Sequence, residues 1–240
     1  MPVHAGDCLK IGARGVPEKL PYGLNAIYED DDIIVVLKPV NLLTVATADE
    51  HVRTAYACLR EWLKARNPRQ KLFIIHRLDK FASGVLVFAK SERIQALMQG
   101  IFSRHDIQRK YWAIVEGTVA RNSGVIRSRL AEDRSLRMHS VDDPACGKIA
   151  VTHFRVLRRT RDVSVLEVTL ETGRKNQIRA HLSEMGHPIV GDKAYGSTKD
   201  PLKRLGLHAF LLGFQHPGNG RPMLFQTDPP PEFVRYIPSP

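Results

Sequence analysis

The chain has 240 residues, 43% of them hydrophobic and 25% charged, so it can bury a core and is not a disordered protein. Lysine and arginine number 36 against 25 aspartate and glutamate, which gives a charge of +11. Such a basic surface attracts polyanions, and simple solubility is the alternative interpretation of the charge. Three well-separated cysteines fit neither a disulfide framework nor a CxxC zinc site. Because the sequence shows no signal peptide and no apolar run that could span a bilayer, we expect a cytoplasmic protein without membrane contact.

Glycine and proline in residues 1–24 predict an extended N-terminal arm, and one domain is expected over residues 25–240. Apolar runs and helical spacing then predict alternating strands and helices in the first half of this domain. The predicted strands are 33–37, 72–75 and 85–89, and the predicted helices are 52–63 and a segment capped by Ser91 that extends to Phe102.

Strands dominate the second half of the chain. Residues 111–170 alternate between apolar and polar side chains, most clearly over 163–170. A short helix carrying Ile178 is predicted to end at Gly186, a further strand is predicted over 207–214, and the prolines at 229–231 are expected to limit regular structure after it. Consecutive strands favour an α+β protein with a mixed, mostly antiparallel sheet.

The first candidate for chemistry is the segment His76-Arg77-Leu78-Asp79. It lies where a predicted strand opens into a loop, so the acid and the arginine can face one cleft. A surface ion pair that positions a turn is the alternative, and such a pair would contribute little to stability.

The second candidate is the cationic segment 173–179, with His181 after it. A solvated helix face is one interpretation. However, Ile178 and Arg179 fall on the side of the helix that should be buried, and a buried arginine needs a carboxylate partner. Asp79 is a plausible partner from elsewhere in the fold.

The third candidate is Lys110-Tyr111-Trp112, where an aromatic ring beside cations is suited to stack on a nucleic-acid base. A place in the core or on a sheet face is the alternative. His181 and His187 lack an HExxH context, and no phosphate-binding or dinucleotide-binding glycine motif occurs. We therefore expect neither a metal site nor a nucleotide cofactor.

Several segments together resemble the RluA-type pseudouridine synthases, a family named for ribosomal large-subunit enzymes. The segments are EDDDIIVVLKPVNLL (29–43), HRLDKFASGVLVFAK (76–90), KYWAIVEG (110–117), TGRKNQIRAHLSEMGHPIVGDKAYG (172–196) and LHAFLLGFQHPGNGRPMLF (207–225). They occur in the order that the family has. The resemblance implies the pseudouridine synthase fold, with flanking helices on its central sheet and a catalytic cleft.

The resemblance also implies the roles of individual residues. Its catalytic residues would be Asp79, Tyr111 and Arg179, and its substrate-binding residues would be His76, Arg77 and Ile178. Asp79 would be the catalytic aspartate, and Arg179 would pair with it. Tyr111 would stack on the target uracil, with Ile178 as an apolar contact beside the base. Arg77 would help to displace or replace the flipped nucleotide.

The implied reaction breaks the C1′–N1 bond of a uridine, turns the uracil and joins C1′ to C5. This isomerisation uses no cofactor or metal, and its substrate would be ribosomal or transfer RNA. It needs a carboxylate beside the ribose, either to attack C1′ as a nucleophile or to take a proton from C2′, and the sequence leaves both routes open. A monomer is the simpler arrangement for a large, irregular substrate.

The chain departs from the family pattern at three positions. Asn41 stands where glycine is usual, Ala82 where threonine is usual, and Asn176 where histidine is usual. We expect these changes to affect loop packing and target choice rather than the reaction. Residues 1–24 are too few for the S4 RNA-binding domain that many relatives carry, so we expect none.

Basic residues in two stretches are candidates for the RNA path, although each stretch could be an ordinary solvated face. They are Arg53, Arg60, Lys64, Arg66, Arg69 and Lys71 in the first, and Arg155, Arg158, Arg159 and Arg161 in the second. Two alternative functions remain at this point. One is a catalytically silent RNA-binding or RNA-folding protein on the same scaffold, and the other is a hydrolase that uses Asp79 with His76.

Overall fold

The computed structural model describes residues 19–48 and 50–237, so most of the predicted arm lies outside the described residues. The strands are β1 Asn25–Glu29, β2 Ile33–Lys38, β3 Phe73–Ile74, β4 Ser83–Ala89, β5 Ile107–Glu116, β6 Ser123–Glu132, β7 Met138–Val141, β8 Lys148–Arg159, β9 Val163–Leu170, β10 Leu207–Gln215 and β11 Pro222–Gln226. The helices are α1 Ala55–Arg66, α2 Glu92–Ser103, α3 Gln177–Glu184 and α4 Pro231–Val234, with 3-10 turns at Pro21–Gly23 and Lys193–Tyr195.

The two long helices begin at side-chain caps. Ser91 Oγ accepts the backbone N–H of Ile94 at 3.2 Å, as the sequence predicts, and Thr54 Oγ1 accepts that of Ala57 at 3.0 Å. Each cap satisfies an amide that has no partner within its own helix. The residues at which α1 and α2 begin are therefore determined by these local hydrogen bonds.

The described residues fall into two compact units, and the first comprises those up to Leu78 together with Gly84–Gln108 and Leu211–Thr227. Within it, β2 pairs antiparallel with β1 and β4, β3 pairs with β4, and β11 pairs with β10. The apolar sides of these strands and of α2 form one buried cluster, which includes Val35, Val87 and Met98.

The second unit comprises Asp79–Ser83, Arg109–Phe210 and the residues after Thr227. Its strands lie in the order β5-β9-β8-β6-β7, and each pair is antiparallel. Helix α3 packs on this sheet, where Ala180 joins Leu130, Ala150 and Tyr195 in a buried cluster. The short segment that carries Asp79 thus belongs to the same unit as α3 and most of β5.

The predicted α+β class is confirmed, and β9 has the predicted limits. Other predictions were wrong in detail. The strand expected at 72–75 is only Phe73–Ile74, β1 and β11 were not predicted, and α4 starts within the proline run. Proline is compatible with the first position of a helix because the amide it lacks would have no helical partner there.

Candidate active site

Asp79 lies on the loop between β3 and β4, where its backbone oxygen accepts the N–H of Ala82 at 3.2 Å. Its side chain is 29% exposed, and its Oδ2 lies 3.7 Å from Nη1 of Arg179. The structure therefore brings together the acid and the arginine that the sequence singled out. At this exposure the carboxylate of Asp79 remains accessible to a ligand.

The strongest partner of Arg179 is a second acid, Asp192. Arg179 Nε donates to Asp192 Oδ2 at 2.7 Å and Nη2 donates to Oδ1 at 2.8 Å, so the pair is bidentate. Nη1 donates to Oδ1 of Asn176 at 2.9 Å, and the same nitrogen is the one that faces Asp79. The hydrogen bonds to Asp192 and Asn176 thus fix the orientation of the guanidinium toward Asp79.

Asp192 was missed by the sequence reasoning, which named only Asp79 as the partner of Arg179. Its side chain is 2% exposed, far more buried than that of Asp79. A signal was present in the sequence, because Asp192 directly follows the apolar Ile189-Val190 and a glycine. A carboxylate at the end of a buried run needs a cation or several donors.

The charge of Arg179 is secured by its surroundings. Burial alone works against a charged guanidinium, but the hydrogen bonds and charge of Asp192, with the charge of Asp79, raise the pKa of Arg179 above its usual value. The Tyr195 ring adds a cation–π contact, with its centroid 4.7 Å from Cζ. Arg179 therefore serves as a permanent positive charge and not as a proton donor.

Tyr111 lies on β5, opposite Val168 of β9, and is buried. Burial raises the pKa of its phenol, the positive charge of Arg109 acts against this, and the negative charge of Asp79 adds to it. The charge of Asp79 thus contributes to the raised pKa of the Tyr111 phenol. Tyr111 therefore stays neutral at ordinary pH, and its phenol remains a hydrogen-bond donor.

Arg109 is a further residue that the sequence reasoning missed. Its buried guanidinium donates to the backbone oxygen of Glu171 at 3.0 Å, at the start of the loop that leads to α3. A side chain at Gly173 would place its Cβ 2.6 Å from Arg109 Nη1, so it would displace this guanidinium. Arg109 thereby ties this loop to β5, two residues from Tyr111.

Comparison with known proteins identifies the family. A profile described as RNA pseudouridylate synthase matches residues 32–184. The chain belongs to this family. It is 34% identical to ribosomal large subunit pseudouridine synthase D of Pasteurella multocida (strain Pm70), covering 98% of this chain and 78% of that protein. It is also 34% identical to the uncharacterized RNA pseudouridine synthase YlyB of Bacillus subtilis (strain 168), covering 90% and 73%.

A solved structure agrees with the sequence relatives. Human RNA pseudouridylate synthase domain containing 4 superposes with a TM-score of 0.71 at 25% identity, covering 87% of this chain and 90% of that one. The protein is an RNA pseudouridine synthase, and its fold is the α+β pseudouridine synthase fold. These findings confirm the family that the sequence motifs resemble.

Two of the departures from the family pattern have a structural explanation in this synthase. Asn41 and Asn176 have φ angles of 62° and 50°, in the left-handed region. Asparagine tolerates this region better than most residues, so Asn41 can replace the usual glycine. Asn176 also contributes the oxygen that Arg179 Nη1 contacts. Ala82 is a buried residue of the Asp79 loop itself, and its amide closes the turn.

Ser83 anchors the other end of the Asp79 loop of the synthase. Arg204 Nη2 donates to Ser83 Oγ at 2.6 Å, and the hydroxyl lies 2.7 Å from Nδ1 of His208. The Ser83 hydroxyl therefore accepts a hydrogen bond from Arg204 and shares another with His208. Burial, reinforced by the charge of Arg204, lowers the pKa of His208 to about 3. The Ser–His pair is thus a buried structural contact beside the loop.

Acidification should destabilise the synthase through His208. Between its pKa of about 3 in the fold and 6.5 in an unfolded chain, only the unfolded state gains a proton. The contribution of His208 to the free energy of unfolding is therefore fully present above pH 6.5, and it is lost as the pH falls toward 3. In urea titrations between about pH 7 and pH 5, the free energy of unfolding should fall by about 2 kcal/mol more for wild type than for His208→Gln. Equal losses in the two proteins would contradict this assignment.

The three predicted substrate-binding residues have different surroundings. Ile178 is buried on α3, next to Arg179 in the second unit. Arg77 is exposed, and His76 Nε2 accepts the backbone N–H of Val87 at 3.2 Å while its ring lies 5.0 Å from that of Phe102. That hydrogen bond occupies the Nε2 lone pair of His76, which a general base would need.

Within residues 19–48 and 50–237 of the synthase, no group of at least three histidine, cysteine, aspartate or glutamate side chains could hold a metal ion. None of the helices in the same part is long and apolar enough to cross a membrane.

Proposed function

We propose that this synthase modifies uridines of large-subunit ribosomal RNA and that Asp79 is its catalytic carboxylate. The observation that carries the proposal is the contact of Asp79 with Arg179, which Asp192 holds, in the same compact unit as the buried Tyr111. The choice of RNA follows the name of the Pasteurella relative, which the chain covers over 78% of its length. We also propose that it works in the cytoplasm as a monomer.

In the proposed reaction Asp79 acts on the ribose of a flipped uridine. Its carboxylate either bonds to C1′ as the C1′–N1 bond breaks, or takes the C2′ proton as uracil leaves. The uracil anion then turns and C5 bonds to C1′, while the C1′–Asp79 bond breaks in the first route or Asp79 returns the proton to C2′ in the second. The C5 proton is transferred to N1 through a base or water. Arg179 keeps Asp79 ionised, because a nearby guanidinium favours the charged form of a carboxyl group.

Tyr111 is proposed to hold the detached uracil. A phenol ring binds a base through its face without fixing the in-plane orientation of that base, so the base can turn. The neutral phenol also avoids repulsion of the uracil anion. Ile178, buried beside Arg179, is proposed as the apolar contact at the edge of the uracil.

The basic residues on and beside α1 are the better candidate for the RNA path. Arg66 and Arg53 lie over the rings of Trp62 and Tyr22, at 4.3 Å and 5.4 Å from their centroids, and Arg66 also pairs with Glu29 at 2.6 Å. Lys64 and Arg69 in the same stretch are exposed. In the second stretch, by contrast, Arg159 is committed to structure. It donates to the backbone oxygens of Val119, Ala120 and Arg121.

Binding of RNA should therefore weaken with salt. Raising monovalent salt from about 50 to 200 mM should cost on the order of a hundredfold in affinity, because phosphate contacts release counterions. Filter binding should show a smaller salt slope for Lys64→Ala combined with Arg69→Ala, both exposed residues of the α1 stretch. Arg161→Ala, exposed in the second stretch, is the matched control. An affinity independent of salt would contradict this path.

The RNA target is tested with transcripts that contain no modified base. Purified protein is incubated with large-subunit ribosomal RNA and, separately, with a pool of transfer RNAs, and pseudouridine is mapped by carbodiimide labelling and primer extension. The proposal predicts new stops in the ribosomal transcript alone, and none with Asp79→Asn. Stops confined to transfer RNA would replace the proposed target.

A further inference from the structure

We propose that Arg204 is a positioning residue for the reaction, because it ties the loop that carries Asp79 to the turn that carries Asp192. The inference rests on the proposed function, since it takes Asp79 as the group that acts on the ribose. Arg204 lies in the loop before β10, and its side chain is only 9% exposed. A buried guanidinium of this kind is retained only where its hydrogen bonds compensate for the water it loses.

The side chain of Arg204 contacts the end of the Asp79 loop. Its Nη2 donates to Oγ of Ser83 at 2.6 Å, and Ser83 is the buried last residue of the segment Asp79–Ser83. A hydrogen bond from a charged donor is roughly twice as strong as one between neutral groups. The N–H of Ala82 donates to the backbone oxygen of Asp79 and closes this short segment. A displacement of Ser83 would therefore move Asp79 with it.

The backbone of Arg204 contacts the turn that carries Asp192. A Cβ atom at Gly191 would lie 2.4 Å from the backbone oxygen of Arg204, and Gly191 has a φ angle of 79°. Glycine is needed there because a backbone atom cannot swing aside as the end of a side chain can. Next to this contact, the N–H of Gly206 donates at 2.9 Å to the backbone oxygen of the residue before Gly191. The turn of Asp192 is thus packed on the backbone of Arg204.

The C-terminal segment holds Arg204 in this place. Phe233 of α4 is fully buried, and its ring centroid lies 5.1 Å from Cζ of Arg204. Glu232 Oε2 lies 3.6 Å from Nη1, and Arg235 Nη2 donates to the backbone oxygen of Pro201 in the same loop at 2.9 Å. These contacts fix the guanidinium from the side opposite to its hydrogen bond with the Asp79 loop.

Arg204 is therefore the link between the two acids of the candidate site. Its side chain holds the loop of Asp79, and its backbone supports the turn of Asp192, which in turn orients Arg179. A misplacement of reacting groups by about 1 Å can cost on the order of a hundredfold in rate. Loss of Arg204 should accordingly slow the reaction, whereas the affinity for RNA should not change.

The variant Arg204→Met tests this role in the full-length protein, with RNA from cells that lack the synthase as the substrate. Methionine replaces the apolar stem of the arginine, and Ser83 keeps its contact with His208, so the fold should persist. The single-turnover rate at saturating protein should fall on the order of tenfold to a hundredfold. The protein concentration that gives half of the maximal rate should stay at the wild-type value. Urea unfolding curves establish that the protein is folded at the assay temperature.

The matched control is Lys90→Met, which removes an equally buried cation from the first unit. The Lys90 side chain is 10% exposed, and its Nζ donates to Glu29 Oε1 at 2.9 Å and to the backbone oxygen of Asp30 at 2.6 Å. This variant should lower the free energy of unfolding and keep the wild-type single-turnover rate. An unchanged rate for Arg204→Met, or an equal loss of rate in the two variants, would overturn the inference.

A double variant tests whether Arg204 acts through Ser83. Ser83→Ala removes the oxygen that accepts the hydrogen bond, so Ser83→Ala combined with Arg204→Met should be no slower than the slower single variant. Losses that multiply would contradict the inference. Asp79→Asn in the same assay separates the inference from the proposed function. A fully active Asp79→Asn would remove the proposed function, whereas an inactive Asp79→Asn beside a fully active Arg204→Met would remove the inference alone.

Discussion

Replacing Asp79 with asparagine should reduce kcat by at least about a thousandfold, because the amide can neither bond to C1′ nor take a proton from C2′. The fold should hardly change. The Asp79 side chain is 29% exposed, and its contact with Arg179 is, at 3.7 Å, longer than either contact of Arg179 with Asp192. Single-turnover formation of pseudouridine in the modified transcript is the measurement.

The matched control for Asp79→Asn is Asp162→Asn, which removes a carboxylate of the same unit that pairs with Lys199 at 2.9 Å on the surface. That variant should keep wild-type kcat. If Asp79→Asn retained more than about a tenth of the wild-type rate, a carboxylate role of the kind described above would be untenable.

Replacing Asp192 with asparagine should lower the free energy of unfolding by about 3–5 kcal/mol, the usual cost of removing one partner from a buried ion pair. An amide offers one acceptor where the carboxylate offers two, and its NH₂ group would face the guanidinium. Arg179 would then lose the bidentate contact that orients it toward Asp79, so kcat should fall as well. Urea unfolding and single-turnover rates measure the two effects separately.

Asp162→Asn again supplies the control, since its exposed ion pair should contribute less than about 1 kcal/mol. A double variant, Arg179→Met with Asp192→Leu, should unfold less easily than Asp192→Asn, because it leaves no buried charge without a partner. Equal stability of Asp192→Asn and wild type would show that the Arg179–Asp192 contact does not hold the site.

Local patterns predicted the elements whose sequence carries a complete signal. The cap at Ser91 and the strand 163–170 were predicted correctly, since a hydroxyl before an amphipathic run and a strict alternation each specify one structure. By contrast, β1 is only partly buried and lacks alternation, and Phe73–Ile74 is a two-residue strand because only those residues pair with β4. An apolar run alone does not show which of its residues pair with a neighbouring strand.

The site was predictable only in part. Asp79 and Arg179 could be associated because a buried arginine requires an acid, and the family resemblance supplied the same pair. Which of two carboxylates makes the bidentate contact depends on how the loop carrying Asp192 approaches α3, and no local pattern records that approach. Arg109 was missed for the same reason, because its partners are backbone oxygens at the end of β9 and in the loop that follows it.

The most direct test of the account uses RNA from cells that lack this synthase, compared with RNA from the same cells carrying wild type or Asp79→Asn. Pseudouridines in ribosomal and transfer RNA are mapped by carbodiimide labelling and primer extension. The account predicts that particular sites in large-subunit ribosomal RNA are lost and that only the wild type restores them. Restoration by Asp79→Asn at equal protein levels, or no lost site at all, would contradict the catalytic role of Asp79.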